Sequence, residues 1–184
     1  MDNLLETLRY ETSQLHQGLH VHPILKSCQE GTISKTEYLH LLKAFYSPWK
    51  TLAPAIDIVP IEALKPKLQS REQAIRDDLM KLNVDQKIFD PIIPQPTISM
   101  EELLGMCYVL VGSSMGGSIL SAKIKETLGD VPVSYLSMSP KDAGWPELVG
   151  KLRSLKSEGF SGASIGACAA FEKIDNELTV MSTN

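Results

Sequence analysis

Near the N-terminus, a histidine and an arginine have a spacing that would let both side chains contact one flat, charged ligand. Three of the four histidines lie in the segment HQGLHVH, at His16, His20 and His22. Arg9 lies seven residues before His16, so on a helix the two side chains point within about 20° of each other. Seven residues rise about 10.5 Å, close to the span from porphyrin iron to its propionates. This pair could bind haem, or it could be a structural histidine beside a surface arginine.

A second segment, YVLVGSSMGGSIL (residues 108–120), places glycine and serine inside an apolar helix. Each glycine in a helix interior costs about 1 kcal/mol relative to alanine, so these need a compensating contact. Gly105, Gly112 and Gly116 lie within about 40° of one another on a helix and form a strip without side chains. Gly117 beside the serines also permits a kink. The strip suits either a closely packed helix or a flat ligand.

Metal sites without a cofactor have weaker support. HQGLH has the i, i+4 histidines of a zinc protease, but Gln17 stands where that motif needs its glutamate base. Glu37 and His40 form half of a di-iron Glu-x-x-His pattern, and no second copy occurs. We expect His40 on the solvent side of its helix. A P-loop and a dinucleotide-binding fingerprint are also missing from the sequence.

The composition argues against several classes of function. The chain has 184 residues, 43% hydrophobic and 22% charged, which suits one compact globular domain. A net charge of −4 argues against nucleic-acid binding. No apolar run approaches the ~20 residues that span a bilayer, so we expect no membrane insertion. Cys28, Cys107 and Cys168 are widely spaced, which indicates reduced thiols in a cytoplasmic protein.

Helical periodicity dominates the chain, and no run alternates as a strand would, so the sequence predicts an all-α fold in a single domain, residues 1–184. An amphipathic helix over 3–20 would carry the first motif. A long helix from Ser99, capped by Glu102, to about Thr127 would carry the glycines. Further helices are predicted from Pro23 to about Gly31, over 70–82, over 146–157 and over 162–178, with connections over 54–69 and 130–146. Another begins at Ser34, which forms a capping box with Glu37, and its buried face is Tyr38, Leu41, Leu42, Phe45, Trp49 and Leu52.

Taken together, LRYETSQLHQGLHVHPIL and YVLVGSSMGGSIL resemble the haem oxygenase family, and its bacterial, phytochrome-associated branch in particular. The resemblance implies a helical bundle that holds haem b between an N-terminal proximal helix and a kinked distal helix. It implies oxidative ring opening of haem to biliverdin, with release of carbon monoxide and ferrous iron. Molecular oxygen and an external electron donor (a ferredoxin, a flavin reductase or a small reductant) would be needed.

The resemblance also implies roles for residues outside the glycine segment. The proximal iron ligand falls on His16, and the basic partner of a propionate falls on Arg9. Lys151 is a second candidate for a propionate, with Lys156 as the runner-up. An aromatic residue near the haem edge falls on Phe171, although ordinary core packing explains Phe171 equally well.

On the distal side, the family's glycines fall on Gly112, Gly116 and Gly117, with Tyr108 at the start of the segment. Gly112, Ser113 and Gly116 would form the catalytic distal wall, where bound oxygen has room to bend toward the porphyrin edge. Ser113 stands where the mammalian branch has an aspartate that organises water. A hydroxyl is a weaker organiser, which puts rate and regiochemistry in question more than haem binding.

Two alternatives stay open at the level of the sequence. Ser113 and the presence of His20, where an acidic residue is common, allow a non-catalytic haem-binding or haem-sensing module. His20 could orient His16 or compete with it for iron. A non-haem relative that acts on thiamine-like pyrimidines would need a cysteine and carboxylates that converge in the bundle, and Cys107 has no carboxylate at helical spacing.

Overall fold

The computed structural model describes residues 3–92, 97–155 and 157–182, and Lys156 therefore lies outside the described residues. All regular structure in those ranges is helical, which confirms the predicted all-α class. The helices are α1 (Leu4–Glu11), α2 (Ser13–Val21), α3 (Pro23–Glu30), α4 (Lys35–Tyr46), α5 (Trp49–Leu52), α6 (Lys65–Lys81), α7 (Met100–Gly112), α8 (Ser114–Leu128), α9 (Ser134–Ser137), α10 (Pro140–Ala143), α11 (Trp145–Ser154) and α12 (Phe160–Ser182). Short 3₁₀ helices cover Ala53–Ile58, Gln86–Phe89 and Ser157–Gly159.

The predicted N-terminal helix is two helices, α1 and α2, separated only at Thr12. The Thr12 hydroxyl donates to the Leu8 carbonyl at 2.6 Å. The Thr12 carbonyl still accepts from the backbone N–H of His16 at 2.9 Å, so the chain continues in nearly the same direction. Leu4, Leu5 and Leu8 bury the inner face of α1, which packs on α11 and α12.

α3 and α4 begin at the predicted positions. Pro23 lies in the first turn of α3, where its missing N–H costs nothing, and Gly31 ends that helix with φ of +71°. Ser34 and Glu37 form the predicted capping box of α4. The predicted inner face is fully or almost fully buried: Tyr38, Leu41, Leu42, Phe45, Trp49 and Leu52. The predicted helix is divided, however, because α4 ends at Tyr46 and Trp49 and Leu52 belong to α5.

Two connections were predicted wrongly. α6 begins at Lys65 rather than Ser70, because Pro66 occupies its first turn instead of breaking the chain before it. The predicted loop over 130–146 contains α9 and α10. A helix of four residues completes barely one turn, so it shows no periodicity. α10 has local signals instead, because Ser139 caps it and Gly144 ends it with φ of +96°.

α7 lies in the core of the molecule, and α8 continues it with one buried face. α7 packs so closely along α12 that the two backbones touch. A Cβ on Gly105 would lie 1.8 Å from the Ala163 carbonyl oxygen. A Cβ on Gly166 would likewise lie 1.9 Å from the Glu102 carbonyl oxygen. The predicted continuous helix is interrupted at Ser113 alone, between α7 and α8, and ends one residue before Gly129.

The segment Met100–Leu128 is long and apolar enough to cross a membrane by length and composition alone. The sequence prediction that no apolar run approaches the length needed to span a bilayer therefore does not hold for this segment. However, 56% of its apolar stretch is buried inside the protein, and α7 is covered by α12. α7 is thus a core helix of this protein, and α8 buries one face against its neighbours.

Candidate functional site

A cavity of about 580 Å³ is lined by residues of α2, α3, α4, α7, α8, α11 and α12. Its volume lies within the range of about 300–1,000 Å³ that is typical of small-molecule sites. Its walls are mostly apolar, as in such sites generally. The predicted site residues that line it are His16, Tyr108, Gly112, Ser113, Gly116 and Phe171. The two predicted motifs therefore meet at one cavity.

His16 lies on α2 and is accessible from the cavity. Its ring packs edge-on to Phe171, with centroids 6.0 Å apart, so the aromatic side chain limits where the imidazole can turn. Partial burial, and then the nearby His20, lower the pKa of His16 below its usual value. Both causes favour the neutral imidazole, which is the form that ligates a metal.

His20 also lines the cavity, one helical turn after His16. The two rings are 4.5 Å apart between centroids and almost perpendicular. Nδ1 of His20 lies 3.3 Å from the Nε2 amide of Gln29, a third cavity residue. His22 has a different function: its Nδ1 accepts from the backbone N–H of Ile24 at 3.3 Å and caps α3.

Arg9 and Lys151, the predicted propionate partners, are not among the residues that line the cavity. Arg9 is exposed near the end of α1, and Lys151 is partly exposed on α11. Tyr108 links Arg9 to the cavity electrostatically: burial raises the pKa of Tyr108, while the Thr12 side chain and the charge of Arg9 oppose that rise. Arg9 thus lies near the Tyr108 side of the cavity.

The three distal glycines have different surroundings. A Cβ on Gly116 would meet nothing within 4 Å, so this position is open to the cavity. A Cβ on Gly112 would lie 3.3 Å from the Trp145 ring, another part of the wall. A Cβ on Gly117 would lie 2.4 Å from the Leu136 carbonyl oxygen, so the glycine permits close approach of α9 and does not line the cavity.

Ser113 lies at the break between α7 and α8, and its hydroxyl is already hydrogen bonded twice. It donates to the Leu110 carbonyl at 2.8 Å and accepts from Nη2 of Arg71 at 2.9 Å. A hydroxyl has one proton and two acceptor lone pairs. Toward the cavity, Ser113 can therefore only accept a hydrogen bond, for example from water.

Arg71 is a residue that the sequence analysis missed. Its side chain is fully buried, and the guanidinium donates to the carbonyls of Leu110 (3.0 Å) and Tyr135 (3.2 Å) as well as to Ser113. It also stacks over the Tyr135 ring at 4.1 Å. One signal was available: Arg71 lies in helical register with Leu68, Ile75 and Leu79, the buried face of α6.

Serine and cysteine nucleophiles are not supported by the structure. GSSMG and GASIG match the Gly-x-Ser-x-Gly pattern, but Ser114 and Ser164 are buried within helices rather than at a strand-to-helix turn. Burial raises the pKa of Cys107 to about 12 and that of Cys28 to about 11. Burial, and then Glu172 and Glu11, raise the pKa of Cys168. The raised pKa values disfavour the reactive thiolate at all three positions, which argues against the pyrimidine-converting alternative.

Solved structures that resemble this chain are bacterial haem oxygenases. The enzyme from Leptospira interrogans superposes with a TM-score of 0.74 at 19% identity, over 97% of this chain and 99% of its own. Haem oxygenase-1 from the cyanobacterium Synechocystis, in complex with haem, gives 0.72 at 15% identity, over 99% and 93%. The NO- and CO-bound enzyme from Neisseria meningitidis gives 0.70 at 22% identity, over 97% and 92%. These likenesses show a common fold.

Sequence comparison adds the family. A search of curated proteins gives no match. The family model described as haem oxygenase, however, matches residues 2–143, more than three quarters of the chain. The match spans both motifs and the helices between them, and it confirms the resemblance found in the sequence. The chain belongs to the haem oxygenase family, whose members are enzymes that degrade haem.

Proposed function

We propose that the cavity binds haem b with His16 as its iron ligand, and that the protein opens the porphyrin oxidatively to biliverdin. One observation carries this assignment. A single apolar cavity is lined by an imidazole that favours its neutral form and by helix backbone without side chains at Gly112 and Gly116. The cavity volume and the apolar walls also suit a flat, largely apolar molecule.

The protein's own residues would bind and orient the substrate. When bound, haem supplies the iron at which oxygen is activated and is itself the molecule that is cleaved. His16 fixes the position of the iron, and Phe171 limits rotation of its imidazole. Arg9, near Tyr108, would attract a propionate, with Lys151 as a second candidate. The apolar walls exclude bulk water from the reacting edge.

The distal wall would determine where a small molecule can sit beside the iron. Gly116 leaves that space open, and Gly112 keeps the Trp145 ring at contact distance. Ser113 accepts a hydrogen bond from water in this space, and Arg71 and Leu110 fix the orientation of its hydroxyl. Gly117 contributes indirectly, because it lets α9 approach α8. Regiochemistry then depends on which haem edge faces this gap.

The remaining requirements of the reaction come from outside the chain. Molecular oxygen and electrons must be supplied, the latter by a ferredoxin, a flavin reductase or a small reductant. We infer a cytoplasmic location from the free thiols Cys28, Cys107 and Cys168, and we expect neither nucleic acid nor membrane insertion among its interactions.

Hemin titration and reduction of the complex test this proposal. We expect a Soret band at one equivalent, then bleaching of that band and a biliverdin absorption when ascorbate or a ferredoxin system supplies electrons. His16→Ala should weaken hemin binding by more than the roughly 10–100-fold that loss of an outer-shell partner costs. His40→Ala, outside the cavity, is the matched control and should behave as the wild type.

Three outcomes separate the alternatives. Absence of hemin binding would contradict the whole proposal. Binding without ring opening under any reductant would instead favour the non-catalytic haem-binding module, which the comparisons do not support. An unchanged Soret band in His16→Ala would assign the iron to another ligand, with His20 the nearest imidazole.

A further inference from the structure

His20 has a position that the proposed reaction does not use. It lines the same cavity as His16, and the centroids of the two rings are 4.5 Å apart. A divalent ion about 2.1 Å from each of two imidazole nitrogens brings the ring centres to roughly 4.5–5 Å. The i, i+4 spacing on α2 thus holds the pair near chelating distance before any ion arrives.

Gln29 can set the tautomer that such a site needs. Its amide lies 3.3 Å from Nδ1 of His20. Turned over, the amide accepts from Nδ1–H through its oxygen, which leaves the Nε2 lone pair of His20 free to ligate. An outer-shell partner of this kind accompanies almost every metal-bound histidine. Within the described residues, no cluster of three or more histidine, cysteine or carboxylate side chains offers a competing site.

We propose that His16 and His20 chelate one divalent transition-metal ion in the haem-free cavity. Imidazole suits Fe²⁺, Co²⁺, Ni²⁺ and Zn²⁺ alike. Two protein ligands are fewer than the four of a structural zinc site, so the ion is held weakly and exchanges with solvent. Weak, exchangeable binding is what a transit site requires, whereas a storage site would need more ligands.

The role of this site rests on the proposed function. Iron freed by ring opening would pass from the porphyrin nitrogens to the imidazoles of His16 and His20, which both line the cavity. No electron moves and no covalent bond within the protein forms in this exchange of ligands. Ferrous iron, the metal product, would leave the cavity through the His16–His20 pair.

Cobalt titration of the tag-free, haem-free full chain tests the chelate directly. We expect one equivalent of Co²⁺ by calorimetry, with visible d–d bands that report nitrogen ligation. His16→Ala and His20→Ala should each weaken binding by at least about tenfold, and Gln29→Ala by about tenfold, since outer-shell partners contribute 10–100-fold. His40→Ala should leave the titration unchanged, and one equivalent of hemin should displace Co²⁺ because both occupy His16.

Failure of this inference is distinguishable from failure of the proposed function. If hemin binds through His16 but His20→Ala takes up Co²⁺ as the wild type does, the chelate is wrong and the haem site stands. If hemin does not bind, the Co²⁺ titration still tests the pair on its own. Failure of hemin to displace Co²⁺ would place the ion elsewhere and overturn the proposal.

A single-turnover experiment tests the iron route. Ferrozine in solution reports released Fe²⁺, while the Soret band reports ring opening in the same sample. We expect the rate of iron release, divided by the rate of bleaching, to fall several-fold in His20→Ala and to stay constant in His40→Ala. An equal ratio in wild type and His20→Ala would overturn the transit role and leave only the haem-free chelate.

Discussion

Ser113 keeps the distal wall polar where the mammalian branch of the family has an aspartate, but it brings no negative charge. Its proton is committed to Leu110, and one lone pair is committed to Arg71. A carboxylate at this position would be acceptor-only as well, so the serine loses negative charge rather than acceptor function. The buried guanidinium of Arg71 supplies the positive charge of this network, and the fold holds it with two carbonyls and the Tyr135 ring.

Removal of the Ser113 hydroxyl should destabilise the haem-free protein. Ser113→Ala leaves Nη2 of Arg71 without its acceptor, and an unsatisfied buried donor costs about 1–3 kcal/mol. Urea unfolding measures the change. Ser113→Asp should recover most of the stability, because its carboxylate can accept from Arg71. Ser118→Ala, at an exposed serine on α8, controls for helix propensity and should not destabilise. Equal stability of Ser113→Ala and wild type would show that Arg71 finds another acceptor.

Among single residues, the sequence analysis found the side chains whose type and helical spacing indicate a function. It missed Arg71, whose contribution depends on buried hydrogen bonds to distant parts of the chain. His16, Gly112, Gly116 and Phe171 were found from helical angles and family resemblance, and all four line the cavity. Arg71 lies on an element that carried no motif, and its partners Leu110 and Tyr135 are far away in the chain. Contacts of that kind depend on how helices cross, which local periodicity does not encode.

The α7–α8 pair is the element that joins stability to function. The glycine strip was read from the sequence as a single surface, and the structure divides it. Gly105 serves the contact with α12, whereas Gly112 and Gly116 face the cavity. Angles on a helix say which residues share a face, but they do not name the neighbour on that face. The neighbour of the strip therefore changes along the helix: α12 packs against Gly105, and the cavity lies beside Gly112 and Gly116.

A side chain at Gly116 should separate the two roles of this element. Nothing lies within 4 Å of a Cβ there, so Gly116→Leu should fold and gain up to about 1 kcal/mol from helix propensity. Its leucine would occupy the space beside Gly112, and hemin binding should weaken or fail. Gly18→Leu is the matched control, because Gly18 is equally open and exposed on α2 but does not line the cavity. Normal hemin affinity in Gly116→Leu would contradict the assigned distal wall.

Across the whole molecule, the helices that line the cavity differ in how deeply they are buried. Eight of the thirteen residues of α7 are buried, whereas Leu19 alone is buried among the nine of α2. The element that carries His16 and His20 is therefore held by few contacts, while the glycine-bearing helix is anchored in the core. The helical class and most helix starts were predictable because capping boxes and apolar faces are local signals. The cavity was not, because it is formed by side chains from helices that are far apart in the chain.

This asymmetry predicts that haem completes the N-terminal part of the fold. Local opening free energy follows buried contacts, so in the haem-free protein the amides of α2 should exchange with deuterium much faster than those of α7. Hemin binds only the ordered form, and at 100 times its dissociation constant it should stabilise that form by about 2.7 kcal/mol. Hydrogen exchange measured by mass spectrometry, with and without one equivalent of hemin, should show protection concentrated in α2.

In His16→Ala the gain in protection should largely disappear, since the bond that ties α2 to the ligand is lost. Equal protection of α2 and α7 in the haem-free chain would mean that α2 is held by the protein alone, and that the cavity is formed before haem enters.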